Sequence, residues 1–231
     1  MPAAPRQPSA VVFDLDGVLL DSAPLHSRAF EEVFEPFGIR GFDYRQYAGW
    51  KTANVIENVL HRAGHKIAPR EILELAAKKS SLARERLRES NPVAPDCVPA
   101  LVRLSRDYPL ALASSGSRAS VALFLAANEC AHLFRSVLCG DDVSCAKPDP
   151  EIYRRSFAAL DVAPREAMVV EDAIAGMQAA TAANAGIVIG VEGTCSSEQL
   201  TEAGAAGVIR SVSDLLGFLC DSYDCAITAK N

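Results

Sequence analysis

The chain has 231 residues, of which 49% are hydrophobic, so it is long and apolar enough to bury a core. Its net charge of -6 and its pI near 5.3 argue against nucleic acid or an anionic membrane as the main partner. No apolar run reaches the length of a membrane span, and the proline-containing residues 1–8 are typical of a short flexible tail, not of a signal peptide. We therefore expect a soluble, cytoplasmic protein.

The first predicted element is a buried strand at 9–13, because this stretch is β-rich and shows no polar alternation. Asp14 and Asp16 stand at its carboxyl end, and Gly17 allows the chain to turn sharply away. In an open α/β sheet, ligands bind at that end of the strands. Two carboxylates two residues apart on a strand point to the same face and repel each other. A bound cation would relieve that repulsion, and the arrangement would then suit phosphoryl chemistry.

The segment that follows is helical in pattern and much longer than a connection between a strand and a helix needs to be. Proline-marked, hinge-like stretches stand before it at 22–24 and after it at 91–95. We predict a helical cap domain at 23–92, inserted into a core domain made of residues 9–22 and 93–231. The apolar residues that recur at helical spacing include Leu25, Ala29, Val33, Phe37, Val55, Ile56, Val59, Leu60, Ile72, Leu75, Ala76 and Leu82.

From about residue 96, predicted helices and strands alternate along the chain. This alternation predicts an α/β fold, a Rossmann-like, doubly wound parallel sheet with helices on both faces. No heptad pattern or large apolar surface stripe is evident, so we expect a monomer. The predicted strands lie at 110–113, 136–139, 167–170, 186–190 and 207–209, and the predicted helices include 119–127, 149–160, 173–183 and 215–219.

Polar clusters follow four of the predicted core strands. Besides Asp14 and Asp16, they are Ser114–Arg118, Lys147–Pro150 and the pair Glu171–Asp172. A single cluster would mean little, because loop tips are usually polar. Carboxyl ends of parallel strands share one edge of a sheet, so the clusters together predict one site.

In order and in residue type, these clusters resemble the four motifs of the haloacid dehalogenase superfamily of phosphotransferases. Asp14-Leu15-Asp16-Gly17-Val18 matches the first motif, Ser114 the second, Lys147 the third and Glu171-Asp172 the fourth. The likeness covers nearly the whole chain from about residue 10. The helical insert resembles the cap of the subfamily that contains β-phosphoglucomutase and many small sugar-phosphate phosphatases. The resemblance implies a capped core of this family's type, Mg²⁺ as cofactor and a small phosphorylated metabolite as substrate.

The resemblance also implies a role for each acidic residue. Asp14 is expected to be the nucleophile that forms an aspartyl phosphate, which divides one hard displacement into two easier ones. Asp16 is expected to be the general acid for the leaving alcohol and then the base for water. Mg²⁺ would be held by Asp14, the backbone carbonyl of Asp16 and Asp172, with Glu171 among or next to the ligands.

The remaining motif residues are expected to hold the phosphate. Ser114, with the backbone N–H groups of Ser115 and Gly116, would bind phosphate oxygens at a helix N-terminus. Lys147 would supply a compact positive charge to the phosphate and the nucleophile. Taken singly, these residues would more often be helix caps, turn residues or a solvated lysine, so the hypothesis depends on the assembled set.

Three cap residues, His26, Lys51 and Lys79, are further candidates for the substrate site. His26 stands where the mutase and several relatives place a hinge histidine, and it would pair with Asp16 when the cap closes. Lys79 is near the position of the mutase's cap lysine. The alternatives are a histidine that packs the hinge and a solvated helix face.

Gly49-Trp50-Lys51-Thr52 resembles the substrate-specificity loop of the cap. The mutase carries an arginine on this loop that grips the phosphate not being transferred, whereas this sequence has Thr52 there and Lys51 beside it. Lysine is a poorer bidentate clamp than arginine, so the departure favours a phosphatase. Trp50 would either shield the closed site, stack on a sugar or pack in a core.

The leading hypothesis is a Mg²⁺-dependent phosphatase that hydrolyses a small phosphorylated metabolite, with a sugar phosphate favoured, through an aspartyl phosphate. The alternative is a phosphosugar mutase like β-phosphoglucomutase. A third candidate resembles phosphonoacetaldehyde hydrolase, with Lys51 as its Schiff-base lysine, although that family has a small residue in place of Asp16. A non-catalytic binder that kept the fold is disfavoured by the intact motifs.

Overall fold

The computed structural model describes residues 7–223, and these residues form an α/β fold with one parallel sheet. Residues 1–6 of the expected tail lie outside the described part of the chain. The six strands lie in the order β3-β2-β1-β4-β5-β6, which confirms the predicted fold class. The strands are β1 (Ala10–Phe13), β2 (Leu110–Ala113), β3 (Phe134–Leu138), β4 (Ala167–Glu171), β5 (Ile187–Val191) and β6 (Gly207–Ile209).

Nine α-helices are present among residues 7–223, and six of them cover the two faces of the sheet. Alternate residues of β1 enter different cores, since Val11 and Phe13 pack with α4, α5 and α9, while Ala10 and Val12 pack with α6, α7 and α8. None of the described helices is both long and apolar enough to cross a membrane. The helices are α1 (Ala23–Phe34), α2 (Thr52–Arg62), α3 (Pro69–Ser90), α4 (Cys97–Asp107), α5 (Arg118–Ala127), α6 (Glu151–Leu160), α7 (Ile174–Ala182), α8 (Ser197–Glu202) and α9 (Asp214–Tyr223).

Helices α1, α2 and α3 pack around a hydrophobic cluster of their own. Most of the apolar positions expected from helical spacing lie in it, among them Val33, Val55, Ile56 and Leu60, each fully or almost fully buried. Leu25 instead packs against the core beside the sheet. A short 3₁₀ helix at Tyr44–Tyr47 contributes Tyr47 to the same cluster. The segment that contains α1, α2 and α3 is inserted in the sequence between β1 and α4, and it is connected covalently to the rest of the chain at these two points.

The observed elements differ from the predicted ones mainly at their ends. Strand β3 begins at Phe134, two residues earlier than predicted, and helix α6 begins at Glu151. Asp149 still serves the start of α6, because its Oδ1 accepts the N–H of Glu151 at 2.9 Å. Helix α8 was not predicted, since its six residues are mostly polar and carry no apolar repeat.

Candidate active site

The sheet order places the motif residues side by side. Strand β1 lies between β2 and β4, and the N–H of Asp14 continues the ladder by donating to the carbonyl of Val170 at 3.0 Å. The N–H of Ser114 donates to the carbonyl of Leu138 at 3.0 Å. The residues that follow three adjacent strands therefore begin at the same edge of the sheet, where the strand order reverses and α/β proteins bind ligands.

Lys147 is the central cation of the site. Its Nζ donates to Asp14 Oδ1 at 2.6 Å, to Glu171 Oε1 at 2.6 Å and to the carbonyl of Ala113 at 3.1 Å. Burial alone would lower the pKa of Lys147, but Asp14 and Glu171 raise it well above its usual range. The ammonium is thus charged and has an acceptor for each of its three protons.

Both oxygens of the Glu171 carboxylate are occupied by donors from the protein. Oε1 accepts from Lys147 and from the hydroxyl of Tyr153, and Oε2 accepts from the N–H groups of Asp172 and Ala173 at 3.1 and 3.4 Å. The ammonium of Lys147 also lies 4.9 Å from the centre of the Tyr153 ring. Glu171 therefore acts mainly as the acceptor that holds Lys147 in place.

A group of three buried carboxylates surrounds the place expected for a metal. Each of Asp14, Glu171 and Asp172 offers an oxygen within 4.8 Å of the other two. Burial raises the pKa of Asp14 to about 7 despite Lys147, and burial together with Glu171 and Asp14 raises the pKa of Asp172 well above its usual range. Such crowded hard oxygen donors fit Mg²⁺, with Asp14 and Asp172 the carboxylates best able to bind it.

Gly17 permits the close approach of Asp172 to the turn after β1. A Cβ atom on Gly17 would lie 1.8 Å from Asp172 Oδ2, and the glycine has a positive φ of 85°. The hydroxyl of Thr194, in the loop after β5, also bonds to the Asp172 side chain. Asp172 is thus oriented by two loops that flank the site.

Asp16 belongs to a second polar group, which extends into the helical segment. Its Oδ1 accepts from Ser22 Oγ at 2.6 Å and pairs with His26 Nε2 at 2.9 Å, and His26 Nδ1 lies 2.6 Å from Lys79 Nζ. Because a lysine ammonium only donates, we assign the ring proton of His26 to Nε2. The structure thus brings His26 and Lys79, both expected from the sequence, to Asp16.

In this second polar group, burial and neighbouring charges shift the pKa values of Asp16 and Lys79 in opposite directions. Burial would raise the pKa of Asp16, but His26, Ser22 and Lys79 outweigh it and hold that pKa at about 2. Burial lowers the pKa of Lys79 to about 7, although Asp16 opposes the shift. Burial and Lys79 together lower the pKa of His26. Asp16 is therefore a carboxylate near neutral pH, held by a neutral imidazole.

A small chamber of about 40 Å³ lies between the strand ends and the helical segment. The hydroxyl of Ser115 donates to the carbonyl of Gly49 across this boundary at 2.8 Å, and the N–H of Gly116 donates to Ser114 Oγ at 2.9 Å. We call this space the reacting chamber. Its walls are Asp14, Asp16, His26, Phe30, Tyr44, Gly49, Trp50, Thr52, Lys79, Ser115 and Gly116.

Lys51 is placed differently from the other predicted substrate residues. It does not line the reacting chamber, and its Nζ donates to the carbonyl of Val143 at 3.2 Å. This bond joins the helical segment to the loop between β3 and α6. The structure therefore gives Lys51 a bridging contact in place of the expected position against a phosphate.

Three residues near the site were not anticipated from the sequence. Tyr153 follows the apolar spacing of α6 and so looks like an ordinary core residue. Tyr44, whose ring stacks on His26 with centroids 5.3 Å apart, lies in a 3₁₀ helix that has no periodic signal. Thr194 did carry a usable signal, because it is a polar residue just beyond the carboxyl end of β5.

The fold and the site define an α/β protein with a buried, lysine-neutralised acidic centre at the switch point of its sheet. This chain belongs to the haloacid dehalogenase-like hydrolase family, since residues 11–189 match that family's sequence model. The match confirms the resemblance seen in the four motifs.

Several curated relatives of the chain are named phosphatases. It is 28% identical over 204 residues to the phosphorylated carbohydrates phosphatase of Thermotoga maritima, covering 87% of this chain and 94% of that protein. It is 32% identical over 197 residues to the validoxylamine A 7'-phosphate phosphatase of Streptomyces hygroscopicus subsp. limoneus, covering 83% and 89%. A solved structure of CbbY from Rhodobacter sphaeroides in complex with phosphate superposes with a TM-score of 0.74 at 27% identity, covering 90% of this chain and 96% of that one.

Proposed function

We propose that this protein is a Mg²⁺-dependent phosphatase that hydrolyses a small phosphorylated metabolite, most suitably a sugar phosphate, through an aspartyl phosphate on Asp14. The observation that carries the proposal is the buried contact of Lys147 with Asp14 at 2.6 Å, beside Asp172 and beneath the reacting chamber. The names of the relatives support the same class of reaction.

The residues have separable tasks in this reaction. Asp14 attacks phosphorus with the oxygen that Lys147 does not bind, and the Lys147 ammonium offsets negative charge that develops on the transferred group. Asp14, the backbone carbonyl of Asp16 and Asp172 would hold Mg²⁺, which would supply further positive charge to offset that of the nucleophile and the phosphate. The substrate's phosphate oxygens would take over the hydrogen bonds that Ser114, Ser115 and Gly116 now make within the protein.

Asp16 acts as the general acid and then as the general base of this reaction. Ser22 and His26 hold its Oδ1, while Oδ2 faces Gly116 at the chamber wall. Proton delivery to the leaving alcohol requires the protonated form, and the carboxylate form then removes a proton from the attacking water. Its low pKa suits the second task, since hydrolysis of the intermediate needs a ready base.

We further propose that residues 23–92 act as a cap over an α/β core made of 9–22 and 93–231. The separate hydrophobic cluster of α1, α2 and α3 and the two bonds that cross to the core support this division. We also propose a monomer in the cytoplasm, as expected from the sequence, which shows no heptad pattern.

The residues at positions 51 and 52 argue against the two other enzyme hypotheses in the form that the sequence suggested. No arginine is among the described residues that line the reacting chamber, and Thr52 stands where the mutase has its phosphate clamp. A hydrolase that forms a Schiff base needs a lysine facing the carbon it attacks, whereas Lys51 is directed to the carbonyl of Val143 outside the chamber.

The test is phosphate release from a panel of phosphorylated metabolites with Mg²⁺, using wild type, Asp14→Asn and the surface control Asp107→Asn. We expect Asp14→Asn to lose roughly 10³-fold or more in kcat while its circular dichroism is unchanged. The control should match wild type, and chelation of the metal should abolish turnover. Comparable rates for Asp14→Asn would refute the nucleophile, and a wild type unable to hydrolyse even p-nitrophenyl phosphate would point to a non-catalytic binder.

A further inference from the structure

The reacting chamber is too small for the organic part of a sugar phosphate. Its volume is about 40 Å³, whereas sites for small organic ligands measure roughly 300–1,000 Å³. The chamber holds the reacting acids on one side and the side chains of the helical segment on the other. In the closed arrangement of the structure, the leaving group of a substrate must therefore extend beyond one of the chamber walls.

Two larger clefts lie beside the chamber, and each shares one aromatic wall with it. Trp50 lines both the chamber and a cleft of about 750 Å³, which we call the Trp50 cleft. Tyr44 lines both the chamber and a cleft of about 770 Å³, which we call the Tyr44 cleft. Rotation of either side chain would join the chamber to the adjacent cleft.

Of the two aromatic side chains, Trp50 rotates more easily than Tyr44. Tyr44 stacks on His26 at 5.3 Å and lies 6.1 Å from Phe30, so its rotation would break packing next to Asp16. Trp50 is 39% exposed and meets Tyr47 only edge-on, with ring centroids 5.7 Å apart. The backbone N–H of Trp50 is fixed on the carbonyl of Tyr47, so its side chain alone would turn.

The chemistry of the Trp50 cleft fits hydroxyl groups. The side chains of Gln46, Gln178, Gln199 and Ser196 line it, and amides and hydroxyls both donate and accept hydrogen bonds. The indole of Trp50 adds a flat apolar face of the kind that packs on the C–H face of a sugar.

The charges of the same cleft disfavour a second phosphate. Arg45 is the single cationic side chain among the described residues that line it, and it is paired with Asp43 at 3.0 Å. Glu192 adds a further negative charge. An uncharged polyhydroxylated group is therefore the best match.

We propose that the Trp50 cleft binds the distal, uncharged part of the substrate, which is then a phosphate monoester of one sugar unit that carries a second polyhydroxylated unit. This inference rests on the proposed phosphatase function. The phosphate lies over Asp14, the first unit occupies the space that Trp50 vacates, and the second unit contacts Gln178 and its neighbours in the cleft.

The first test compares kcat/KM for p-nitrophenyl phosphate, glucose 6-phosphate, trehalose 6-phosphate and sucrose 6'-phosphate. We expect at least one disaccharide phosphate to exceed glucose 6-phosphate by about tenfold or more, the effect of one or two additional hydrogen bonds. Gln178→Ala should remove most of this preference by raising KM for the disaccharide. Ser27→Ala, in the Tyr44 cleft, is the matched control and should keep the preference.

The second test uses fluorescence, because Trp50 is the single tryptophan of the chain. In Asp14→Asn, which should bind without turnover, the preferred disaccharide phosphate should shift the emission, whereas inorganic phosphate should not. Equal kcat/KM for monosaccharide and disaccharide phosphates, or an unchanged emission, would overturn the inference. Hydrolysis of p-nitrophenyl phosphate by wild type would then leave the phosphatase proposal standing, and its absence would remove both.

Discussion

The phenol of Tyr153 sits beneath the reacting groups, fully buried, with its hydroxyl on Glu171 and its ring under Lys147. Tyr153→Phe keeps the ring and removes one donor from a buried carboxylate. Hydrogen bonds to charged groups are worth roughly 1.5–3 kcal/mol, so we expect a loss of that order in the free energy of unfolding. Urea denaturation measures it, and a several-fold fall in kcat should accompany it as Lys147 loses its fixed partner.

Tyr47→Phe is the matched control for this substitution, because the Tyr47 hydroxyl donates to the neutral amide of Asn58 at 3.2 Å and accepts only a long bond of 3.4 Å from the exposed Arg62. The expected cost there is smaller, roughly 0.5–1.5 kcal/mol, with little change in kcat. Equal losses of stability and activity in the two variants would show that the hydroxyl of Tyr153 has no special role at the site.

The residues proposed to react with the substrate or bind it were predictable from the sequence, and those that only orient them were not. Asp14 was found because a charged residue directly after an apolar strand breaks a pattern, and Lys147 because it matches the third motif of the family. Tyr153 breaks none, since an amphipathic helix uses tyrosine as readily as phenylalanine on its buried face. The contact between Lys51 and Val143 depends on how the helical segment docks, and no local sequence signal reports that.

Helix α7 runs so close to the site that one of its residues has to be glycine. A Cβ atom at Gly176 would lie 1.8 Å from Glu171 Oε1, in the carboxylate that holds Lys147. Alanine normally stabilises a helix over glycine by roughly 1 kcal/mol. We expect Gly176→Ala to destabilise the protein instead, by about 2 kcal/mol or more, because the carboxylate has to move. Thermal unfolding and the phosphatase assay should both register the change.

Gly217 in α9 provides the comparison, because a Cβ atom there would meet nothing within 4 Å. Gly217→Ala should stabilise the protein by roughly 0.5–1 kcal/mol and leave kcat unaltered. If Gly176→Ala stabilised the protein to the same extent, the close approach of α7 to Glu171 would be wrong.

At the scale of elements, the alternation of strands and helices was enough to predict the fold class. The elements that were not predicted are the short ones. The helices α5, α6 and α7 were located within two residues at each end. The short helix α8 and the 3₁₀ helix at Tyr44–Tyr47 were missed, because four to six residues show too little of a helical period. That 3₁₀ helix places Tyr44 beside the chamber, so its omission also concealed part of the site.

For the whole molecule, the bond from Lys51 to Val143 and the bond from Ser115 to Gly49 hold the helical segment against the core. Lys51→Met removes one of them. Because a single hydrogen bond contributes roughly 1 kcal/mol, we expect kcat/KM to fall about three- to tenfold as the closed arrangement becomes less populated. Steady-state kinetics with p-nitrophenyl phosphate would measure the fall.

Lys66→Met, an exposed lysine in the same helical segment, is the control and should behave as wild type. Lys51→Arg should restore much of the activity, since arginine can also donate to a carbonyl. A loss of 10²-fold or more that arginine does not restore would show instead that Lys51 contacts the phosphate, as the sequence suggested.

The central position of β1 has a consequence for how the protein is made. It leaves the ribosome before the other described strands, yet Val11 pairs with Leu110 and Ala10 with Ala167, both of which are translated far later. Until those strands are synthesised, both edges of the apolar strand β1 have unpaired backbone groups, which can pair with neighbouring nascent chains. The yield of folded protein in the cell should therefore depend on chaperones that bind this segment during elongation, even where the folded protein is stable.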